Sequence, residues 1–264
     1  MAVLVVACLG WCAPAAQAAT AKKPVVLVYG DSLVWESKKY INAGIDSKVW
    51  TRHVLAVPAT APCDWLQRLP GDVAKYHPVE ITLATEGNSA TPCMDDANGV
   101  LLAYDSPAYL AKYRVDLTAF FTDAGSTRVT FLEGAPLGCM TCASWNAAVG
   151  DVYGVAQDVA SGFPNVTVSS AANLAVSNSG AYVQTMSCTA KEAKARKDGC
   201  TSGQIDVRTD TGIQAGVHLC PIGLNDYPTT HPCATFTNGK WVSVYSAGEL
   251  RYGSAIAAAT VAAL

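Results

Sequence analysis

The stretch Val25-Val26-Leu27-Val28-Tyr29-Gly30-Asp31-Ser32-Leu33 decides the fold. Its first five residues form an unbroken apolar run, rich in β-branched side chains, that predicts a short strand buried on both faces. Gly30 ends the run, and Asp31 and Ser32 are residue types favoured at the start of a helix. The segment therefore reads as strand, tight turn, helix. A serine at that turn sits at the carboxyl end of a strand, where α/β sheets place their ligands. Its hydroxyl also lies at a helix N-terminus, where free N–H groups favour developing negative charge. Two readings are open at this point. Asp-Ser is an ordinary capping pair, or Ser32 is a nucleophile whose attack on a carbonyl generates an oxyanion.

Further along, Val54–Val57, Val79–Ala84, Arg128–Leu132 and Val166–Val168 are apolar runs of strand length. Between them lie helical stretches at Asp64–Tyr76, about Tyr104–Ala124 and about Trp145–Ser161, and Leu250–Leu264 reads as a closing helix. Strands separated by helices predict a parallel sheet with helices on both faces. Met186–Thr237 departs from this alternation. It is rich in Cys, Gly, Thr and Pro and reads as a long stapled loop region.

In the 264-residue chain, 50% of residues are hydrophobic and 15% are charged, with a formal net charge of -3. That composition buries a sizeable core and argues against disorder. With no block of like charge, nothing points to nucleic acid or an anionic membrane as partner. Met1–Trp11 is apolar but too short to span a bilayer. It is followed by Ala16-Gln17-Ala18, the small-x-small pattern of a signal-peptidase site. Residues 1–18 are therefore expected to be a secretory leader, although no Lys or Arg follows Met1, and 19–264 a single domain with no integral membrane segment. The alternatives are a buried N-terminal helix and a lipoprotein anchor at Cys8 or Cys12.

Ten cysteines agree with export; removing Cys8 and Cys12 with the leader leaves an even set. In an exported chain such a set reads as a disulfide framework. Cys139-x-x-Cys142 alone has zinc-like or redox-motif spacing, and no second such pair accompanies it. The expected bridges are Cys63–Cys93, whose members follow successive strands, and the sequence neighbours Cys139–Cys142, Cys188–Cys200 and Cys220–Cys233, because short loops close most easily.

Four short blocks occur in order: Gly30-Asp31-Ser32-Leu33, Thr60-Ala61-Pro62-Cys63-Asp64-Trp65, Gly87-Asn88-Ser89-Ala90-Thr91-Pro92-Cys93-Met94, and Val207-Arg208 followed by Gly216-Val217-His218-Leu219-Cys220-Pro221. Together they resemble the SGNH/GDSL hydrolases, in particular their secreted, cysteine-containing branch common in actinobacteria. The resemblance spans Tyr29 to about Gly253. It implies a three-layer α/β/α sandwich, flavodoxin-like, on a mainly parallel five-stranded sheet. It also implies ester hydrolysis with Ser32 as nucleophile, His218 as base and an oxyanion hole of the Ser32 and Ala59 N–H groups and the Asn88 amide. No metal or organic cofactor is implied. The implied partner is a small-molecule, lipid or acylated-sugar ester, and a monomer is expected.

The residues by themselves leave more open. Of four histidines, His53 and His77 fall at element ends, and His231 in Thr230-His231-Pro232-Cys233 rivals His218 as base. Two positions depart from the family pattern. Where the second block usually has a glycine, the chain reads Val57-Pro58-Ala59-Thr60; Pro58 has no N–H, so Ala59 is the donor in that position. Where an aspartate usually precedes the histidine by three residues, the chain has Ala215. Asp210 and Asp226 are the nearby acids able to orient His218, and a backbone carbonyl accepting from Nδ1 is the favoured alternative, because Asp210 lies in a simple turn sequence. An O-acyltransferase acting on cell-envelope glycans and a weak or non-catalytic carbohydrate- or surface-binding relative are the competing functions.

Overall fold

The computed structural model describes residues 22–85, 87–138, 142–195, 199–210, 216–220 and 233–262. The opening segment folds as the sequence predicts. Strand β1 (Val25–Gly30) runs into helix α1 (Ser32–Gly44), and Asp31 is the N-cap, its carboxylate accepting from the Leu33 N–H at 3.1 Å. Then follow β2 (Thr51–Ala56), α2 (Pro62–Leu66), α3 (Leu69–Tyr76), β3 (Glu80–Ala84), α4 (Pro107–Asp123), β4 (Arg128–Leu132), α5 (Ala143–Ala160), β5 (Val166–Ser169) and α6 (Ala171–Ala175). All pairings in the central sheet are parallel, in the order β2-β1-β3-β4-β5.

The expected helix over Asp64–Tyr76 is two helices. Pro70 lies in the first turn of α3; it lacks an N–H and fits a helix start, not a helix interior, so the chain restarts there.

Side chains along β1 alternate between two cores, as strand geometry requires. Leu27 and Tyr29 join Ile81, Leu83, Val129 and Phe131 beneath α2 to α5, where Trp65, Tyr113 and Phe120 are buried. Val26 and Val28 face the other way, with Val54 and Leu132, against α1, α6 and the C-terminal helix α8 (Ala247–Ala262). The result is a three-layer α/β/α sandwich.

The region expected to be a stapled loop carries short elements of its own. These are β6 (Ser177–Asn178), β7 (Ala181–Tyr182), β8 (Thr185–Ser187), α7 (Ala190–Ala195), β9 (Gln204–Asp206), β10 (Ala234–Thr237) and β11 (Lys240–Ser243), paired as three two-stranded ribbons. Disulfides Cys188–Cys200 and Cys220–Cys233 staple it, and Cys63–Cys93 ties α2 to the loop after β3. The fourth expected bridge involves Cys139, outside the described residues. Among the described residues no helix is long and apolar enough to cross a membrane.

At Gly30 the strand and the helix that follows it approach closely. A Cβ there would lie 2.2 Å from Val34 Cγ2 and 2.7 Å from the Ala84 carbonyl oxygen. Neither neighbour yields easily, one being a stiff β-branched side chain and the other backbone. Gly30→Ala is expected to destabilise the protein by about 1–3 kcal/mol, as overpacking typically does. Urea unfolding checks this; a midpoint equal to wild type at unchanged slope would show that the turn has room to spare.

Candidate active site

The carboxyl ends of β1, β2 and β3 meet at one edge of the sheet, and each delivers part of a polar cluster. From β1 comes Ser32, half-buried at the first position of α1. Among the described residues its hydroxyl forms no hydrogen bond, so it is available to a substrate or to a base that closes on it. One helical turn on, Glu36 lies on the same face of α1, because residues four apart on a helix stack.

Glu36 is buried, and both its oxygens are used. Oε1 lies 2.5 Å from Nδ1 of His218, and Oε2 accepts from the Leu219 N–H at 2.9 Å. A carboxylate offers only acceptors, so Nδ1 carries the imidazole proton and Nε2 keeps a free lone pair. Burial alone pulls the His218 pKa down. The charge of Glu36 and its hydrogen bond oppose this, Asp210 and Asp31 add to them, and the net direction is upward.

This arrangement differs from the sequence expectation. Among the described residues, neither Asp210 nor a backbone carbonyl meets Nδ1. The Asp210 carboxylate instead accepts from three consecutive backbone N–H groups, those of Gly216 (2.9 Å), Val217 (3.1 Å) and His218 (2.8 Å). It folds the loop that carries the histidine and leaves the ring to Glu36. Asp226, Ala215 and His231 lie outside the described residues. The sequence does hold a signal for Glu36: an acid four residues after a candidate nucleophile on one helix. Sequence reasoning passes over it because Glu36 and His218 are 182 residues apart in the chain. His53 packs its ring against Tyr76 at 4.2 Å, and His77 is an exposed residue in the left-handed conformation just past α3, so neither belongs to the cluster.

From β2 comes the turn Val57–Thr60. Val57 N–H donates to the Gly30 carbonyl at 3.0 Å, and the Thr60 hydroxyl reaches both the Val57 and Gly30 carbonyls. Between them Ala59 has φ +63°. Glycine enters this left-handed region freely and alanine does so only at a cost. Among the described residues nothing accepts from the Ala59 N–H.

From β3 comes Asn88. Its side-chain Nδ2 donates to Asp31 Oδ2 at 2.8 Å, and its backbone carbonyl accepts from the Tyr113 hydroxyl at 2.7 Å. Gly87, at φ +80°, is fixed by the Tyr109 hydroxyl on its carbonyl at 2.5 Å. Two further ties join this loop to the β2 turn. One is the Cys63–Cys93 disulfide; the other is Asp64, which accepts from Ala61 N–H and from the Thr91 hydroxyl, both at 2.8 Å. Burial pushes the Asp31 carboxyl up to about 8, with the Leu33 N–H opposing the rise and Glu36 adding to it.

Among the described residues, two groupings place metal-ligating atoms together: Cys63, Asp64 and Cys93, and Cys220, Cys233 and Glu249. Each contains a disulfide whose sulfurs are already bonded to one another, so neither offers thiolates to an ion.

A scan against protein-family models finds no match, and a search of curated proteins finds none either. Solved structures with a similar fold include the lipase/acylhydrolase from Enterococcus faecalis, 20% identical over 55% of this chain and 74% of that one at a TM-score of 0.39. The C-terminal catalytic domain of the Streptococcus pneumoniae peptidoglycan O-acetyltransferase A is 9% identical over 92% and 93% at 0.47. An acetylxylan esterase from Geobacillus stearothermophilus is 10% identical over 60% and 86% at 0.44.

Two outcomes are expected from this geometry. In an NMR titration, the His218 ring should titrate above the ordinary value of about 6.5, and Glu36→Gln should lower its midpoint; an unmoved midpoint would mean that Glu36 does not govern the ring. Ala59→Gly should keep the turn and stabilise the fold by about 1 kcal/mol through relief of the left-handed alanine, measured by thermal unfolding; a loss of stability would contradict the strain.

Proposed function

We propose that this chain is a secreted serine esterase that hydrolyses carboxylic esters through an acyl-Ser32 intermediate. The observation that carries the reading is the contact between His218 Nδ1 and Glu36 Oε1, made one helical turn from Ser32. It provides a carboxylate for the ring where the sequence has Ala215 in place of the aspartate usual in the family it resembles.

With Nδ1–H held by Glu36, Nε2 is the basic nitrogen, on the side of the ring away from Glu36. It takes the Ser32 proton as Oγ attacks the ester carbonyl. The resulting oxyanion is met by the Ser32 and Ala59 N–H groups and the Asn88 amide at the N-terminal end of α1. The imidazolium, stabilised by Glu36, then gives its proton to the departing alcohol. Water repeats the sequence on the acyl-serine and releases the acid. Glu36 acts as positioning residue and charge partner; it fixes the tautomer and meets no substrate atom. Export is supported by Ala16-Gln17-Ala18 and by the three bridges, which form in oxidising compartments.

Turnover of p-nitrophenyl acetate tests the reading. Ser32→Ala and His218→Ala should abolish it while leaving the fold intact by circular dichroism, and a serine-directed fluorophosphonate should label wild type but not Ser32→Ala. Glu36→Gln should lower kcat by about 10²–10⁴, since loss of a triad acid removes both tautomer control and charge stabilisation. The pH dependence has a definite sign. The base works only when neutral, so activity falls as pH drops through the raised His218 pKa. Glu36→Gln should move that limb to lower pH. Ester turnover within a few-fold of wild type in Ser32→Ala would end the assignment.

A further inference from the structure

Asp31 is the fully buried residue before Ser32, and its two oxygens serve two different elements. Oδ1 accepts from the Leu33 N–H and caps α1; Oδ2 accepts from Asn88 Nδ2 across the gap to the β3 loop. A primary amide has a donor end and an acceptor end of nearly equal size, and only the surrounding hydrogen bonds decide which way it faces. The Asn88 backbone is already fixed by the Tyr113 hydroxyl on its carbonyl and by its own N–H on the Thr85 carbonyl at 3.0 Å. That leaves the side-chain amide to be set. Its second N–H leans towards the Thr85 carbonyl at 3.4 Å, beyond the range of a good hydrogen bond. This N–H can be surrendered to a better acceptor at little cost.

We propose that Asp31 is the positioning residue of the oxyanion hole: by accepting from one N–H of Asn88 it holds the amide donor-end outward, so that the other N–H meets the developing oxyanion. This rests on the esterase reading above and deepens it, giving the acid of the first block a role in the transition state beyond capping a helix.

An inverted mutational order follows. Asp31→Asn is nearly isosteric, and asparagine is as good an N-cap as aspartate. It has only one side-chain acceptor. If that oxygen keeps the Leu33 N–H, its NH₂ faces Asn88 and turns the Asn88 amide over, presenting a carbonyl oxygen to the oxyanion. Asp31→Ala loses the cap, which costs about 1 kcal/mol, but leaves the Asn88 amide free to take either orientation. Stability should therefore rank wild type, then Asp31→Asn, then Asp31→Ala, while kcat should rank wild type, then Asp31→Ala, then Asp31→Asn. Asp31→Asn should lose about 10²–10³ in kcat with KM changed only a few-fold, as for removal of an oxyanion donor. A purely structural role gives the same order for both quantities.

The experiment measures urea midpoints and p-nitrophenyl acetate kinetics for the three proteins at pH 9. It also records the Asn88 side-chain amide protons by ¹H–¹⁵N NMR in wild type and Asp31→Asn. A strongly deshielded Asn88 amide proton in wild type that moves upfield in Asp31→Asn, with the inverted kinetic order, supports the proposal. An Asn88 amide signal indifferent to Asp31→Asn, or an Asp31→Ala enzyme slower than Asp31→Asn, overturns it. The NMR arm reads the amide without turnover, so an inactive wild type would sink the esterase reading and leave the positioning result to stand or fall separately.

Discussion

The site depends on one buried carboxylate. Glu36 lies one helical turn along α1 from Ser32 and reaches the His218 loop, and burial makes an unpaired carboxylate there costly. Its two oxygens are satisfied by a ring N–H and a backbone N–H from adjacent residues, His218 and Leu219. Glu36 thereby ties the loop to α1 and sets the orientation of the ring. Asp210 supports the same loop from behind, folding the backbone of Gly216, Val217 and His218 around its own carboxylate. One acid thus shapes the loop, and the other orients the ring.

The second constraint is the convergence of three strand ends. The β1–α1 turn is tight because Gly30 has no Cβ, and that tightness brings Asp31 within reach of Asn88. The β2 turn is held to β1 through Thr60, and to the β3 loop through Asp64 and the Cys63–Cys93 bridge. The Ser32, Ala59 and Asn88 N–H groups proposed above as oxyanion donors therefore come from three chain segments cross-linked to one another, and donors held in place in advance stabilise a developing charge without reorganisation. Behind this layer, Lys39 lies 2.9 Å from the buried Glu249, whose carboxyl burial pushes up to about 7. Lys39 limits the negative charge that collects beside Glu36.

Periodicity and turn chemistry determined the framework from sequence alone. Apolar runs of strand length separated by helices gave the parallel five-stranded sheet, since a run such as Val25–Tyr29 is stable only when covered on both faces. Gly30-Asp31-Ser32 announced its turn through local preferences that act within a few residues; Cys188–Cys200 and Cys220–Cys233 followed from short loop closure, and Cys63–Cys93 from its members' places after successive strands. The break between α2 and α3 was also local, written in Pro70, although the longer apolar pattern concealed it. Tertiary structure decided the rest. Glu36 and His218 are 182 residues apart, and no local rule pairs an acid in the first helix with a histidine near the end of the chain. Asp210 is one of the two acids near His218 in sequence that the expectation named, yet its carboxylate is consumed by backbone N–H groups that only the folded loop presents. A hydrogen bond is specified by distance and direction in space, and sequence separation carries information about neither.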